Sequence, residues 1–391
     1  MSIQHQYEKY SRSRTIVVAL LLLATQNGCT PPDSTTSEPS YTDSATAVLG
    51  GSTTRLIFAR PVFVDTGSRG FLVPAVIRYE LSAVETPSGD LIPLPELPVS
   101  HLVTVTDGTW LATRSDEDDL VRAINLDSGA LIDVLTDQRE HGLNPIALDR
   151  GRVLLAGPHG GQQLLVLKDL TTGEQSLFLE NLLEGNCSNA PFCSLDAALH
   201  NDILALRVHA PPAPSDLNSL NPPIATNIDY VNLINQSRTT IATFNGEGSL
   251  VAIGGVRIVW TETNDNVTIV HAYDTESGQV GEIVQLKQKT DPTSDYAIVI
   301  SVGESGVVVR RSSVRADFEP TAQLPNGLRH YWLELVDYSG AVHGVYEFDD
   351  LLPYYTKAAA IGNSVVYRAG ESGQWFVYDA ATGETRAIAP F

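Results

Sequence analysis

The chain has 391 residues, of which 43% are apolar and 18% charged, and 46 acidic against 25 basic side chains leave a formal net charge of −21. That apolar content excludes a disordered chain, and that negative charge repels phosphate backbones and so excludes nucleic-acid binding. The length exceeds that of an ordinary single domain, although repeat architectures reach it as one unit.

Lys9, Arg12 and Arg14 precede the apolar run from Thr15 to Ala24. A bilayer-spanning helix needs about 20 such residues, so a run this short reads as a signal-peptide core. It leads into Thr25-Gln26-Asn27-Gly28-Cys29-Thr30. A small residue ahead of a cysteine resembles the lipobox of bacterial lipoproteins, with Gln26 in place of the usual aliphatic residue. The resemblance implies a signal peptide over residues 1–28, acylation of Cys29, and attachment to the bacterial cell envelope, with the outer membrane as the expected address. A secreted or periplasmic protein is the alternative. Residues 29–47 then comprise the lipidated cysteine and a stretch of Ser, Thr and Pro with almost nothing to bury, which reads as a flexible tether.

The body, residues 48–391, repeats one phrase: apolar residues, an Asp, a few small polar residues and a Gly. It ends at Gly129, Gly173, Gly278, Gly340 and Gly383, and in a weaker form, with Glu85 in place of the Asp, at Gly89. The Asp side chain folds onto the backbone two residues on, and Gly takes the positive φ that closes a hairpin. The long gap between Gly173 and Gly278 holds one more unit at Tyr230–Thr239, where Asn235 and Ser237 occupy the turn without a glycine. Seven units with a base period of 40 to 44 residues fall in the range of β-propeller blades.

Each unit contains two apolar runs before the turn and a short one after it. Leu102–Val105 and Trp110–Thr113 precede Gly129, and Leu131–Leu135 follows it. The innermost runs are rich in Ala, Gly and Val, which suits crowding near an axis. No stretch of twelve residues carries a helical period, so the expected fold is all-β: a seven-bladed β-propeller of four-stranded antiparallel blades. The strand at Thr53–Phe58, or the segment just before it, is expected to pair with the last blade and close the ring.

Three cysteines occur in all. With Cys29 lipidated, Cys187 and Cys193 remain as an even pair in an oxidising compartment and are expected to form a disulfide. A bridge closing so small a loop contributes roughly 2 to 2.5 kcal/mol, enough to pin a loop and not to hold a fold. Two long proline-bearing segments, Ala210–Pro223 and Val314–Arg329, read as loops of the fourth and sixth units, where binding function usually sits.

The turns Asp169-Leu170-Thr171-Thr172-Gly173 and Tyr378-Asp379-Ala380-Ala381-Thr382-Gly383 resemble those of quinoprotein-like and YVTN-type bacterial propeller families. The resemblance implies a secreted seven-bladed propeller and leaves function open.

No catalytic residue, metal ligand or cofactor site stands out. Asp116–Asp119 is the densest charge run and reads as a solvated hairpin tip. His159 and His330 are the only histidines in suggestive company, and each reads as a packed or surface residue. The expected function is a non-enzymatic, lipid-anchored binding or assembly platform for a protein or glycan partner. The alternative is an envelope hydrolase or lyase with its site at the central channel.

Overall fold

In the computed structural model, the residues described are 47–64, 75–86, 88–94, 97–98, 101–115, 120–135, 142–159, 162–179, 195–210, 225–245, 250–264, 266–288, 290, 294–314, 329–350, 357–369 and 373–391. They form seven antiparallel sheets and, among the described residues, no helix. The fold is a seven-bladed β-propeller.

The first blade is β1 (Ala47–Gly51), β2 (Arg55–Val64), β3 (Ala75–Glu85) and β4 (Leu91–Pro93), with β5 (Leu97–Pro98) on the edge of β3. The second is β6 (His101–Thr106), β7 (Trp110–Ser115), β8 (Val121–Asn125) and β9 (Leu131–Asp133). The third is β10 (Asn144–Asp149), β11 (Arg152–His159), β12 (Gln162–Asp169) and β13 (Gln175–Leu179). The fourth is β14 (Leu195–His200), β15 (Ile203–Ala210), β16 (Ala225–Asn232) and β17 (Ser237–Asn245). The fifth is β18 (Val251–Gly254), β19 (Arg257–Asn264), β20 (Val267–Asp274) and β21 (Val280–Lys287). The sixth is β22 (Tyr296–Val302), β23 (Gly306–Val314), β24 (Arg329–Asp337) and β25 (Val342–Asp350). The seventh is β26 (Ala358–Ile361), β27 (Ser364–Arg368), β28 (Trp375–Asp379) and β29 (Thr385–Ile388).

The first strand of each blade is innermost. β1, β6, β10, β14, β18, β22 and β26 follow one another round the axis, and β26 meets β1. Alternating side chains on the middle strands point into the gaps between blades. Seven hydrophobic clusters result, one for each gap. Burying a Leu, Val or Phe contributes about 1.5–3 kcal/mol, so the ring is held blade against blade.

The turns that define the repeat are as expected in kind. Asp169 Oδ1 accepts the Thr171 and Thr172 amides at 2.8 Å each, and Asp379 Oδ1 accepts those of Ala381 and Thr382 at 2.8 and 3.1 Å. Gly173 and Gly383 take φ of 74° and 72°. In the second blade the anchor is Asn125, whose Oδ1 accepts the Asp127 and Ser128 amides, while Asp127 reaches across to Arg55 at 2.5 Å. In the fourth blade Asn232 is the anchor, and Gln236 adopts the left-handed φ of 56° that Gly supplies elsewhere.

Ring closure differs from expectation. β1 pairs with β2 inside the first blade, Ala47 opposite Ala59 and Gly51 opposite Leu56, and among the described residues no strand is lent to the seventh blade. The reason is that β26 to β29 already complete four strands from contiguous chain. Side chains close the junction instead: Leu56, Phe58 and Val84 pack against Ile361, Val366, Trp375, Val377 and Ile388. Ser82 Oγ donates to the Pro390 carbonyl, and the Arg60 guanidinium lies 4.3 Å from the centre of the Phe391 ring.

Candidate functional site

Antiparallel order gives the ring two unlike ends. The hairpins between first and second strands and those between third and fourth strands share one end, here the turn face. The connections between second and third strands and between blades leave the other end, here the mouth face. Leu195 at the start of β14 and Ala210 at the end of β15 both lie on the mouth side, as the pairing of Leu195 with Val208 and of Ala210 with Ala225 requires. The strand ends flanking the cysteine segment and the proline segment therefore share that face.

The turn face is stitched from blade to blade. Asp107 Oδ2 accepts the Gly151 amide at 2.7 Å and Asp149 Oδ2 accepts the Asn201 amide at 2.8 Å. Arg152 Nη1 reaches Asp202 at 3.1 Å, and Ser305 Oγ donates to Asn363 Oδ1 at 2.7 Å. Burial tends to raise the Asp149 pKa, but the His200 ring at 3.3 Å, the Asn201 amide and Arg152 outweigh it and hold the carboxyl below its ordinary value. Hydrogen bonds from Ser339 and His343 likewise depress Asp337. The acidic residues of this face thus act as fasteners.

Between the two faces runs the axial channel. A cavity of about 310 Å³ is walled by Leu49 of β1, Val105 and Thr106 of β6, Ile146–Leu148 of β10, Ala197–Leu199 of β14 and Val251–Ile253 of β18. Toward the turn face the backbones close in. A Cβ on Gly254 would stand 1.9 Å from Tyr338 Oη and 2.2 Å from the Gly303 carbonyl, and Tyr338 Oη donates to that carbonyl at 2.7 Å. Burial pushes the Tyr338 hydroxyl pKa up.

Polar groups gather in the mouth-side halves of the strands. Arg114 Nη1 donates to Asn144 Oδ1 at 2.7 Å across the second and third blades. Arg207 pairs with Asp196 in the fourth blade. In the fifth, the His271 ring stacks on Trp260 with centroids 5.3 Å apart, and its Nε2 lies 3.4 Å from Glu262 Oε2. In the sixth, Arg329 Nε donates to Ser312 Oγ at 2.5 Å and its guanidinium lies 4.9 Å from the Tyr296 ring centre. Burial and the neighbouring Tyr296 phenol raise the Tyr331 pKa there, despite Arg329 and Arg310. In the seventh, burial and then the charge of Arg368 lower the Lys357 pKa to about 8.

Arg207, Arg329 and Arg368 are each less than a tenth exposed, so these groups are buried polar fastenings on the mouth side of an apolar channel. Among the described residues, no group of three or more His, Cys, Asp or Glu is placed to hold a metal ion.

Cys29, Cys187, Cys193 and Asp116–Asp119 lie outside the described residues, as do the proline-bearing stretches 211–224 and 315–328. His159 ends β11, and its side chain is likewise outside them. His330 packs edge-on to Trp332 at 4.3 Å, with Glu347 Oε2 3.7 Å away. Sequence reading passed over the arginines. Arg114, Arg207, Arg310 and Arg368 are each the fifth residue of the second strand of their blade, a periodic signal that was present.

No family model and no curated protein matches the chain. Solved structures match at the level of fold. The propeller domain of the Trilobed protease from Pyrococcus furiosus, described as having an open Velcro topology, aligns with a TM-score of 0.53 at 10% identity, over 88% of this chain and 95% of that one. An acylaminoacyl peptidase from Pyrococcus horikoshii aligns with 0.53 at 11% identity, over 88% of this chain and 52% of that one. A prolyl endopeptidase aligns with 0.52 at 13% identity, over 88% and 49%. The chain spans about half the length of these two peptidases.

Proposed function

We propose that the chain is a lipid-anchored propeller of the bacterial envelope, serving as a non-enzymatic binding or assembly platform for a protein or glycan partner. The observation that carries this reading is the channel wall, where five innermost strands contribute aliphatic side chains and one threonine. A propeller enzyme working at its axis needs acid, base or cationic groups converging there. The polar pairs of the mouth side are instead buried in separate blades and do not line the channel. The fixed turn face supplies the rigid scaffold on which mouth-side connections can be specific.

The test is affinity capture from envelope extracts with the body of the chain, residues 48–391. Recovery of one partner that is lost when Lys287 and Glu347, both exposed near the mouth-side ends of β21 and β25, are replaced by Gln in a chain whose unfolding is unchanged supports the platform.

A second reading, an envelope hydrolase or lyase, draws on the Glu262–His271 pair, a carboxylate and an imidazole 3.4 Å apart that substrate binding would have to draw closer. Turnover of an ester or glycan substrate that is abolished by His271→Gln, with no partner captured, would put this reading first.

A further inference from the structure

We infer that the mouth face of the propeller lies toward the bilayer and the turn face is presented to the aqueous side. The inference rests on the anchoring of Cys29 proposed above.

It follows from where the chain enters the ring. β1 is an innermost strand, and it runs from the mouth side toward the turn side, with Ala47 opposite Ala59 and Gly51 opposite Leu56. The chain therefore enters β1 at its mouth-side end, at Ala47. Residues 30–46, seventeen in number, separate Cys29 from Ala47. Taken as the flexible tether that their Ser, Thr and Pro content implies, seventeen residues have a relaxed span of about 21–25 Å and a stretched limit of about 56–61 Å.

With the mouth face down, the relaxed span suffices. With the turn face down, the same stretch must run outward across a four-stranded blade and then along its height. Three inter-strand steps and strands of eight residues such as β15 and β16 make that path about 40 Å, before any allowance for the channel radius. A chain held at nearly twice its relaxed span loses most of its conformations, so the mouth-down arrangement dominates.

The consequence concerns the partner. Long connections leave the mouth face, and the polar pairs of Arg114, Arg207 and Arg329 stand behind them. A partner docking there would have to fit between the ring and the bilayer. A partner approaching from the aqueous side would meet the stitched turn hairpins instead.

The experiment places one fluorophore on each face in a Cys187→Ser, Cys193→Ser background. Asn264→Cys marks the mouth-side end of β19, and Ala381→Cys marks the last turn of the seventh blade; both positions are exposed. The full-length chain, lipidated in a bacterial host, is reconstituted in phosphatidylethanolamine–phosphatidylglycerol vesicles containing a headgroup-linked nitroxide quencher. Quenching of the 264 label several-fold above the 381 label is the expected result. Equal quenching, or stronger quenching at 381, overturns the orientation.

A second arm replaces residues 1–29 by a hexahistidine tag and holds the chain on nickel-chelating vesicles. The same quenching order is expected. Mass spectrometry of the mature chain separates the two ideas. An unacylated Cys29 removes the anchor, whereas a reversed order on the nickel vesicles removes the orientation.

Discussion

The Phe58 ring stands edge-on to the Trp375 indole, centroids 5.0 Å apart and planes at 77°, across the junction of the first and seventh blades. Both side chains are almost wholly buried. Among the described residues no hydrogen-bonded ladder crosses this junction, so the ring depends on such packing. Trp375→Ala or Phe58→Ala is expected to cost about 3–5 kcal/mol in denaturant unfolding, the usual range for emptying an aromatic site. The double variant should lose about 0.5–1.5 kcal/mol less than the sum of the singles, the coupling of an edge-to-face pair.

Asp149 ties the third blade to the fourth, and its carboxyl is held below the ordinary value of 3.8. A depressed acid contributes stability that is fully present above its unfolded pKa and is lost as pH falls through the folded one. The wild-type chain should therefore be more stable than Asp149→Asn at neutral pH. That gap should close on acidification below about pH 3.8, read as the difference between urea midpoints along a pH series.

Two glycine substitutions should behave differently. Gly254→Ala puts a methyl group within 2.2 Å of the Gly303 carbonyl, which cannot move aside, and a loss of about 1–3 kcal/mol is expected. Gly383→Ala meets nothing within 4 Å, so only its left-handed φ of 72° is strained, at about 1–2 kcal/mol. Thermal unfolding of the two variants checks the order, and the Gly254 change should also disturb the tyrosine fluorescence of Tyr338.

Lys357 has its pKa lowered to about 8, by burial first and Arg368 second. Its amine should be acylated by a mild water-soluble ester at pH 8 ahead of Lys168 and Lys287, as read by peptide mass spectrometry. Arg368→Gln should slow that reaction by returning the pKa upward. Because the folded pKa lies below the unfolded 10.5, charging the buried amine works against the fold. Lys357→Met should accordingly stabilise the chain below about pH 8, with the benefit fading toward pH 10.5.

The blade count was legible because the information is local. An Asp with a Gly four residues on, as in Asp169 and Gly173, writes one hairpin, and its recurrence writes the ring. Finer detail failed where two polar residues competed. In Asn125-Leu126-Asp127 the turn uses the Asn, and the Asp goes to Arg55, seventy-two residues away in sequence. The mode of closure was not legible, because it rests on contacts such as Ser82 with Pro390 that no short pattern records. The mouth-side pairs were invisible for a related reason. Arg207 and Asp196 sit on neighbouring strands, and pairing them requires the register that only the folded blade fixes.

Each sheet of the ring is spelled by one unbroken stretch of chain, without a borrowed strand. The gene can accordingly gain or lose a wedge as a single segment, and a permuted gene beginning at any inter-blade connection would leave every sheet whole. Assembly during synthesis can likewise proceed wedge by wedge, with the circle sealed only when the final one meets the oldest.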